Sequence, residues 1–429
     1  MATKLVLLGT AGGPLPVAGR LGTASAVVVD GRVFVVDCGR GAPSAFADAG
    51  LDFSHLDAVF VTHLHADHTG DLPGMLLYGW GVRADGDTAL PPIRVYGPTQ
   101  PQMLPSDAGG FARQTIICPQ RPAPGTADLV GHILAGYAYH LNVMPLDARM
   151  PDAGALARAV DIAVTPHTTD AATIPVLVCE DASVRVTAVA VSHGHATPAL
   201  AYRFDTADGS VAFSGDTTVN DNLISLATGA DILVHQVADL DYLAGHGLSA
   251  ADLEHMAGLH TDVTQVGAVA ERAQVGELIL HHYLPAEPGA ITEADWARRA
   301  GQGFSGITTA GRDGLRRALR SATGLTGRSM SAARDAHEDR GSLPEQVLPR
   351  SCCRLDPRTV PPRASAAMAF RAALNNSLAT DSDDGPGRHH TRAADRRCRG
   401  PRPIMALGTR IRGRRHRRPG DVRTACMRE

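Results

Sequence analysis

The stretch Val61-Thr62-His63-Leu64-His65-Ala66-Asp67-His68-Thr69-Gly70-Asp71 constrains this chain more than any other. Three imidazoles and a carboxylate fall within six residues, directly after the apolar run Ala58 to Thr62, which reads as a β-strand. A turn at a strand end converges such side chains on one point, and strand ends are where α/β folds place chemistry. Imidazole nitrogen together with carboxylate oxygen suits zinc, manganese or iron. His63 and His65, two apart, can face one ion while Asp67 and His68, beyond the turn, face a second. The alternative is a histidine-rich surface loop without metal, which leaves unexplained the further ligand candidates that recur at later strand ends.

From Lys4 to about Arg320 short β-rich runs alternate with helix-length segments, the pattern of a layered α/β domain. Leu5 to Leu8, Ser25 to Val29 and Val33 to Val36 are apolar runs separated by Gly12-Gly13-Pro14 and by Asp30-Gly31, the second a hairpin signal. A second strand-dense block covers Val184 to Val191, Ala199 to Phe204 and Val211 to Phe213, with Asp208-Gly209 as its turn. Asp231 to Val234 and Glu277 to Leu280 continue the series. Two β-dense halves predict two sheets packed face to face and covered by helices; periodicity alone leaves a single wide sheet open. Arg83 to Glu180, rich in Pro, Gly and Ala, reads as an insertion or lid beside the site, with a helix within Asp128 to Leu141.

Charge divides the chain at about Ala322. Residues 323–429 hold 22 of the 41 Lys+Arg, all of them Arg, against 11 acids, with Phe370 their only Phe, Tyr or Trp. Residues 1–322 therefore carry 19 basic and 33 acidic side chains, a net of −14. Such a body repels polyanions, and no concentrated basic patch interrupts it. The tail lacks periodicity and carries Arg-rich runs such as Arg412 to Arg418, so it is expected to be disordered and to lie outside a folded domain of residues 1–322. It reads as a flexible appendage or a reading-frame artefact. A basic arm for RNA is the alternative, disfavoured because its arginines are scattered without aromatics for base stacking. Cys38, Cys118 and Cys179 are widely spaced and the other four cysteines lie in the tail, which is no disulfide framework; reduced thiols are expected. No apolar run approaches the about 18 residues of a membrane span, and Leu5 to Leu8 is too short for a secretory segment. The expectation is a cytoplasmic protein without a membrane partner.

His63-Leu64-His65-Ala66-Asp67-His68 matches a His-x-His-x-Asp-His signature, and through most of residues 3–320 the chain resembles metallo-β-lactamase-fold hydrolases of the ribonuclease Z and arylsulfatase-like branch. The resemblance implies an α/β four-layer αββα sandwich and three further ligands at later strand ends. Val191-Ser192-His193-Gly194, followed by Pro198-Ala199-Leu200-Ala201-Tyr202-Arg203, looks like the motif that offers His193. Phe213-Ser214-Gly215-Asp216-Thr217 looks like the motif whose Asp bridges two metals, and Leu280-His281-His282-Tyr283 like the final strand. His195 competes with His193, and the spacing to Tyr202-Arg203 in similar sequences selects His193. His281 alternates to the opposite face from His282, so only one of them can point at a metal, and the family alignment selects His282. The implied site holds two divalent ions, zinc by resemblance with manganese or iron as alternatives. His63, His65, His193 and Asp216 would lie on one side, and Asp67, His68, Asp216 and His282 on the other.

The same resemblance assigns roles around these ligands. Asp37, in Val36-Asp37-Cys38-Gly39, sits where relatives keep a carboxylate that orients a ligating His, a simple turn Asp being the alternative. His260 resembles the His that protonates the leaving group in ribonuclease Z relatives, a surface His at a helix start being the alternative. Asp67 is expected to orient the nucleophile. His235-Gln236 stands where that family usually has His-Glu, which removes a carboxylate able to tune His260. Ribonuclease Z enzymes that process transfer RNA carry a Gly- and Pro-rich arm, often just after the third motif. Here Tyr202-Arg203-Phe204 leads through Asp208-Gly209 directly to Ser214-Gly215-Asp216, without room for it. The expected reaction is hydrolysis of small phosphodiesters or related esters. The alternatives are transfer RNA 3′ processing, an arylsulfatase or lactonase activity, and a non-enzymatic metal-bound sensor. Tyr137, Tyr139 and His140 are candidates either for the substrate pocket wall or for the core of the insertion, and a homodimer is implied by resemblance.

Overall fold

Alternation along the strands sorts the core into layers. In β1 (Lys4–Gly9), Leu5 and Leu7 face one way while Val6 and Leu8 face the other. The computed structural model describes residues 2–319 apart from 86–87, 102–115, 119, 149 and 165–172. The expected disordered tail, 323–429, lies outside the described residues. The chain divides into two units, Met1–Ala367 and Met368–Glu429, and every described residue belongs to the first.

One seven-stranded sheet runs, edge to edge, through β16 (Arg316–Ala318), β1, β2 (Ala24–Val29), β3 (Arg32–Val36), β4 (Leu56–Phe60), β7 (Ile93–Pro98) and β8 (Ala157–Ile162). The other, also seven-stranded, runs through β15 (Ile307–Ala310), β14 (Glu277–Leu284), β13 (Ile232–Ala238), β12 (Gly209–Phe213), β11 (Ala199–Thr206), β10 (Val184–Val191) and β9 (Val176–Glu180). A small ladder pairs β5 (Ala84–Asp85) with β6 (Thr88–Ala89). Strands β3, β4, β7 and β8 are parallel, as are β12 through β15.

Between the sheets lie Leu5, Leu7, Phe34, Phe60, Tyr202, Phe204 and Phe213, all buried. Each such ring contributes about 1.5–3 kcal/mol by leaving water. The outer face of the first sheet, with Val6, Leu8, Val33, Val35 and Val59, is covered by helices Ala42–Asp48, Leu72–Leu77 and Thr126–Gly136. The outer face of the second, with Ala201, Ala212, Leu233 and Leu278, is covered by helices Asp221–Ala227, Val263–Arg272 and Glu293–Ala300. The result is the helix, sheet, sheet, helix sandwich; a single wide sheet is ruled out.

Two expectations are corrected. Residues 83–180 are more than an insertion or lid, because they supply β7, β8 and β9 to the two main sheets. Their Pro-, Gly- and Ala-rich composition hid these short strands, of which β7 and β8 find their partners far along the chain. The helix expected within Asp128 to Leu141 is two helices, Thr126–Gly136 and Ala138–Asp147, the first packed on the outer face of the first sheet through Val130. The turns follow local chemistry: Asp30 (φ 50°) and Gly31 (φ 85°) both adopt the left-handed backbone that a tight two-residue hairpin needs. Thr206 pairs with Gly209, so the second hairpin turns at Ala207 and Asp208, one residue earlier than its Asp-Gly signal. Among the described residues Cys38, Cys118 and Cys179 are free thiols. No described helix is long and apolar enough to cross a membrane.

Candidate functional site

The site forms where the ends of parallel strands from both sheets meet. The segment leaving β4 is pinned there from both sides. Val61 donates its N–H to the Tyr96 carbonyl at 2.7 Å, and its own carbonyl accepts from the Tyr202 hydroxyl at 2.8 Å. Leu200 of β11 donates to the Thr62 carbonyl at 2.9 Å, which ties the second sheet to the residue before His63. His65 then caps the short helix Ala66–Thr69, so Asp67 and His68 project from its single turn. From the second sheet, His193 follows β10, Asp216 follows β12 and His282 belongs to β14. Gly215 makes the approach of Asp216 possible: its φ is 57°, and a side chain there would meet the Leu200 carbonyl oxygen at 2.6 Å.

These side chains converge. Ligand atoms of His63, His65 and His193 lie within 4.8 Å of one another, as do those of Asp67, His68, Asp216 and His282. His65 Nδ1 is 3.0 Å from His63 Nε2 and 3.3 Å from His193 Nε2. In the second group His282 Nε2 is 3.2 Å from His68 Nε2, 3.3 Å from Asp67 Oδ2 and 3.2 Å from Asp216 Oδ2. Asp216 Oδ2 also lies 3.8 Å from His193 Nε2, so this one carboxylate adjoins both groups.

Three buried imidazoles have their other nitrogen held. His63 Nδ1 faces Thr62 Oγ1 at 3.2 Å, His68 Nδ1 faces Asp37 Oδ2 at 2.8 Å, and His193 Nδ1 faces the Leu259 carbonyl at 2.9 Å. A proton at Nδ1 satisfies the Asp37 and Leu259 contacts and leaves Nε2 as the lone-pair donor toward the cluster. Asp37, itself in a left-handed conformation (φ 60°), also accepts from Thr62 N at 2.8 Å. It is thus a built part of the site rather than a plain turn residue. Thr62 and Leu259 were missed in the sequence; a hydroxyl beside a ligating His is a readable signal, a backbone carbonyl is not.

The electrostatics favour cations. Burial pushes the His63, His65 and His193 imidazoles below their ordinary value, toward the neutral form that binds metal. Burial opposes the charge on Asp216, yet the His282 and His68 imidazoles hold its carboxyl well below the usual range. His68 is buried too, but Asp216 and Asp37 outweigh that and raise it well above the ordinary imidazole value, so positive charge is stabilised here. Among the described residues nothing hydrogen-bonds the buried Asp216 Oδ1, a costly state for a carboxylate oxygen unless a cation approaches. Clustered imidazole nitrogens, ionised carboxylates and this orphaned oxygen fit divalent metal ions.

His260 stands at the margin, with Nδ1 3.9 Å from Asp216 Oδ2 and 3.1 Å from Gln236 Oε1. It is a buried residue rather than a surface helix-start histidine, and burial pushes it down to about 3. Gln236 donates through Nε2 to the Thr217 carbonyl at 2.9 Å, which turns its Oε1 toward His260.

The competitors fall elsewhere. His195 is exposed and lines an open groove of about 340 Å³ with Glu254, His255 and Leu259. A bulge in β14 separates His281 from His282: pairing with β13 passes from His281 opposite Gln236 to Tyr283 opposite Val237, skipping His282, whose φ is 48°. His281 turns away, with Nδ1 3.3 Å from Thr23 Oγ1. Tyr139 is solvent-exposed, Tyr137 nearly half so, and His140 lies edge-on to Trp80, so no described contact joins these three to the cluster.

Four layers around a paired His/Asp cluster define a metallo-hydrolase of the metallo-β-lactamase fold. The fold protein YhfI of Bacillus subtilis is a structural likeness, with a TM-score of 0.47 at 18% identity over 74% of this chain and 100% of that one. Residues 3–80 match the family described as anti-Pycsar protein Apyc1, and residues 136–283 match the β-lactamase superfamily domain. Ribonuclease Z of Mycobacterium bovis (strain BCG / Pasteur 1173P2) is 30% identical over 310 residues, 72% of this chain and 96% of the relative. Ribonuclease Z of Mycobacterium avium (strain 104) is 33% identical over 320 residues, again 72% and 96%. The chain belongs to the β-lactamase superfamily of metallo-hydrolases, in its ribonuclease Z-like branch.

Proposed function

We propose that this metallo-hydrolase cleaves small phosphodiesters with a pair of divalent ions, zinc foremost. His63, His65, His193 and Asp216 would hold one ion, and Asp67, His68, Asp216 and His282 the other. Bound there, such ions make hydroxide available near neutral pH and polarise the oxygen under attack. Asp67 orients the attacking nucleophile through its carboxylate. His260, whose Nδ1 proton is committed to Gln236 Oε1, would take a proton from the attacking water at its free Nε2 and then pass that proton to the leaving alcohol.

The observation that carries the substrate class is the connection between His193 and Asp216. Strands β11 and β12 are joined by two turn residues, so no RNA-gripping arm projects at that place. The acidic balance of residues 1–322, 33 acids against 19 basic side chains, adds an unfavourable field for long polyanions. A second reading, precursor transfer RNA cleavage, is favoured by the name ribonuclease Z of relatives 30% or more identical. Hydrolysis by the metal-loaded protein of bis(4-nitrophenyl) phosphate, an arylsulfate, a lactone and precursor transfer RNA separates the readings. The phosphodiester should turn over fastest, with Asp67→Ala losing all activity. Efficient, salt-sensitive cleavage of precursor transfer RNA by residues 1–322 would overturn the small-substrate reading. We further propose that the protein is cytoplasmic and homodimeric.

A further inference from the structure

We propose that Gly12 is a positioning residue for His282, supplying by steric contact the orientation that the other buried site histidines receive from hydrogen bonds. His63, His68 and His193 each have a partner at Nδ1, whereas His282 Nδ1 is buried and makes no hydrogen bond among the described residues. What lies against it is Gly12. A side chain carbon built on Gly12 would sit 2.6 Å from His282 Nδ1 and 2.9 Å from both His282 Cε1 and the His282 carbonyl oxygen. The glycine is needed for that space and not for its backbone, since Gly13 has positive φ (79°) and Gly12 does not.

The wall that Gly12 forms is fixed from two sides. Thr10 and Ala11 donate to the Leu21 carbonyl at 3.0 and 2.8 Å. Tyr283 donates to the Thr10 carbonyl at 3.0 Å, and Gly12 donates to the Tyr283 carbonyl at 3.2 Å. Asp313 locks the segment further, accepting from Thr10 Oγ1 at 2.8 Å and from Leu21 N at 2.7 Å. The backbone therefore cannot retreat from a ring pushed against it, and His282, bulged out of β14 at φ 48°, has one place to go. A ring held by contact on the Nδ1 side keeps Nε2 aimed at Asp67, His68 and Asp216.

The inference rests on the reading that His282 holds a metal, and the test separates the two. Metal stoichiometry, metal affinity by chelator competition and the Tm of the metal-free protein are measured for Gly12→Ala, His282→Ala, the double variant and the control Gly131→Ala, where a side chain meets nothing within 4 Å. Gly12→Ala should weaken one of the two bound equivalents about tenfold or more, as loss of ligand orientation does, and leave the other. Gly131→Ala should bind as the parent does. In the His282→Ala background Gly12→Ala should cost no further metal affinity. Two tightly bound equivalents in Gly12→Ala, with one lost in His282→Ala, would overturn the proposal. Two retained in His282→Ala would overturn the ligand assignment and the Gly12 role with it. If Gly12→Ala alone does not fold, recovery of folding in the double variant supports the clash with the ring, and failure to recover refutes it.

Discussion

Asp37→Asn puts the second layer of the site to a quantitative test. Asp37 is 2% exposed and accepts from Thr62 N at 2.8 Å while its other oxygen faces His68 Nδ1 at 2.8 Å. Asparagine keeps one carbonyl oxygen for Thr62 and tolerates the left-handed backbone at φ 60°. Its amide nitrogen then faces His68, donor toward donor, unless the ring moves its proton to Nε2. That tautomer satisfies the metal-free protein and removes the lone pair that would bind metal. Disturbing such an orienting carboxylate costs about 10–100-fold in metal affinity, or about 1.4–2.8 kcal/mol. Asp37→Ala differs in kind. It leaves the buried Thr62 N–H without an acceptor, about 1–3 kcal/mol, and replaces a residue tolerant of left-handed backbone with one that is not. The assay pairs chelator competition with thermal unfolding of the metal-free protein. Asp37→Asn should lose affinity with little change in Tm, and Asp37→Ala should lose both. An Asp37→Asn protein whose metal affinity stays within about twofold of the parent refutes the orienting role.

His260→Ala should lower kcat by about 10²–10⁴-fold on phosphodiesters with alkyl alcohol leaving groups and far less with 4-nitrophenolate, which departs unprotonated; equal losses on both would remove His260 as proton donor. Truncation after Ala322 should leave metal content and Tm intact, because every candidate ligand and every described strand precedes it; loss of either shows that residues 323–429 contribute to the fold. Metal loading should release protons, since Asp216 and Asp37 raise the His68 imidazole well above its ordinary value against its burial, so binding must compete with a proton. The sign is that acidification weakens metal binding and alkali strengthens it. Loading in weakly buffered solution with a pH indicator measures this, and no acidification would show that His68 is already neutral.

The local parts of this protein were legible because their causes are local. His63 to His68 follow a strand within six residues, so one turn suffices to gather them. Asp30-Gly31 dictates its hairpin through backbone preference alone. The resemblance carried by the later motifs extended this to His193, Asp216 and His282. What escaped depends mostly on partners distant in the chain: β7 takes its place beside β4, and β8 beside β7 some 60 residues away. Strand β9 escaped although its partner β10 follows it across a short turn.

The choice between His281 and His282 shows the division most sharply. Strand alternation determined that only one of them could face the cluster. Which one is a matter of the bulge that β14 makes against β13, and of a loop near residue 12 that presses on the ring from some 270 positions away. Sequence by itself determined the donor chemistry, the layered α/β class and the shortness of the connection between His193 and Asp216. Tertiary structure decided the orientation of each donor: Asp37 against His68, the Leu259 carbonyl against His193 and Gly12 against His282. The physical reason is that residue type sets what an atom can bind, while the direction of a lone pair is set by packing and hydrogen bonds that exist only once distant segments have met.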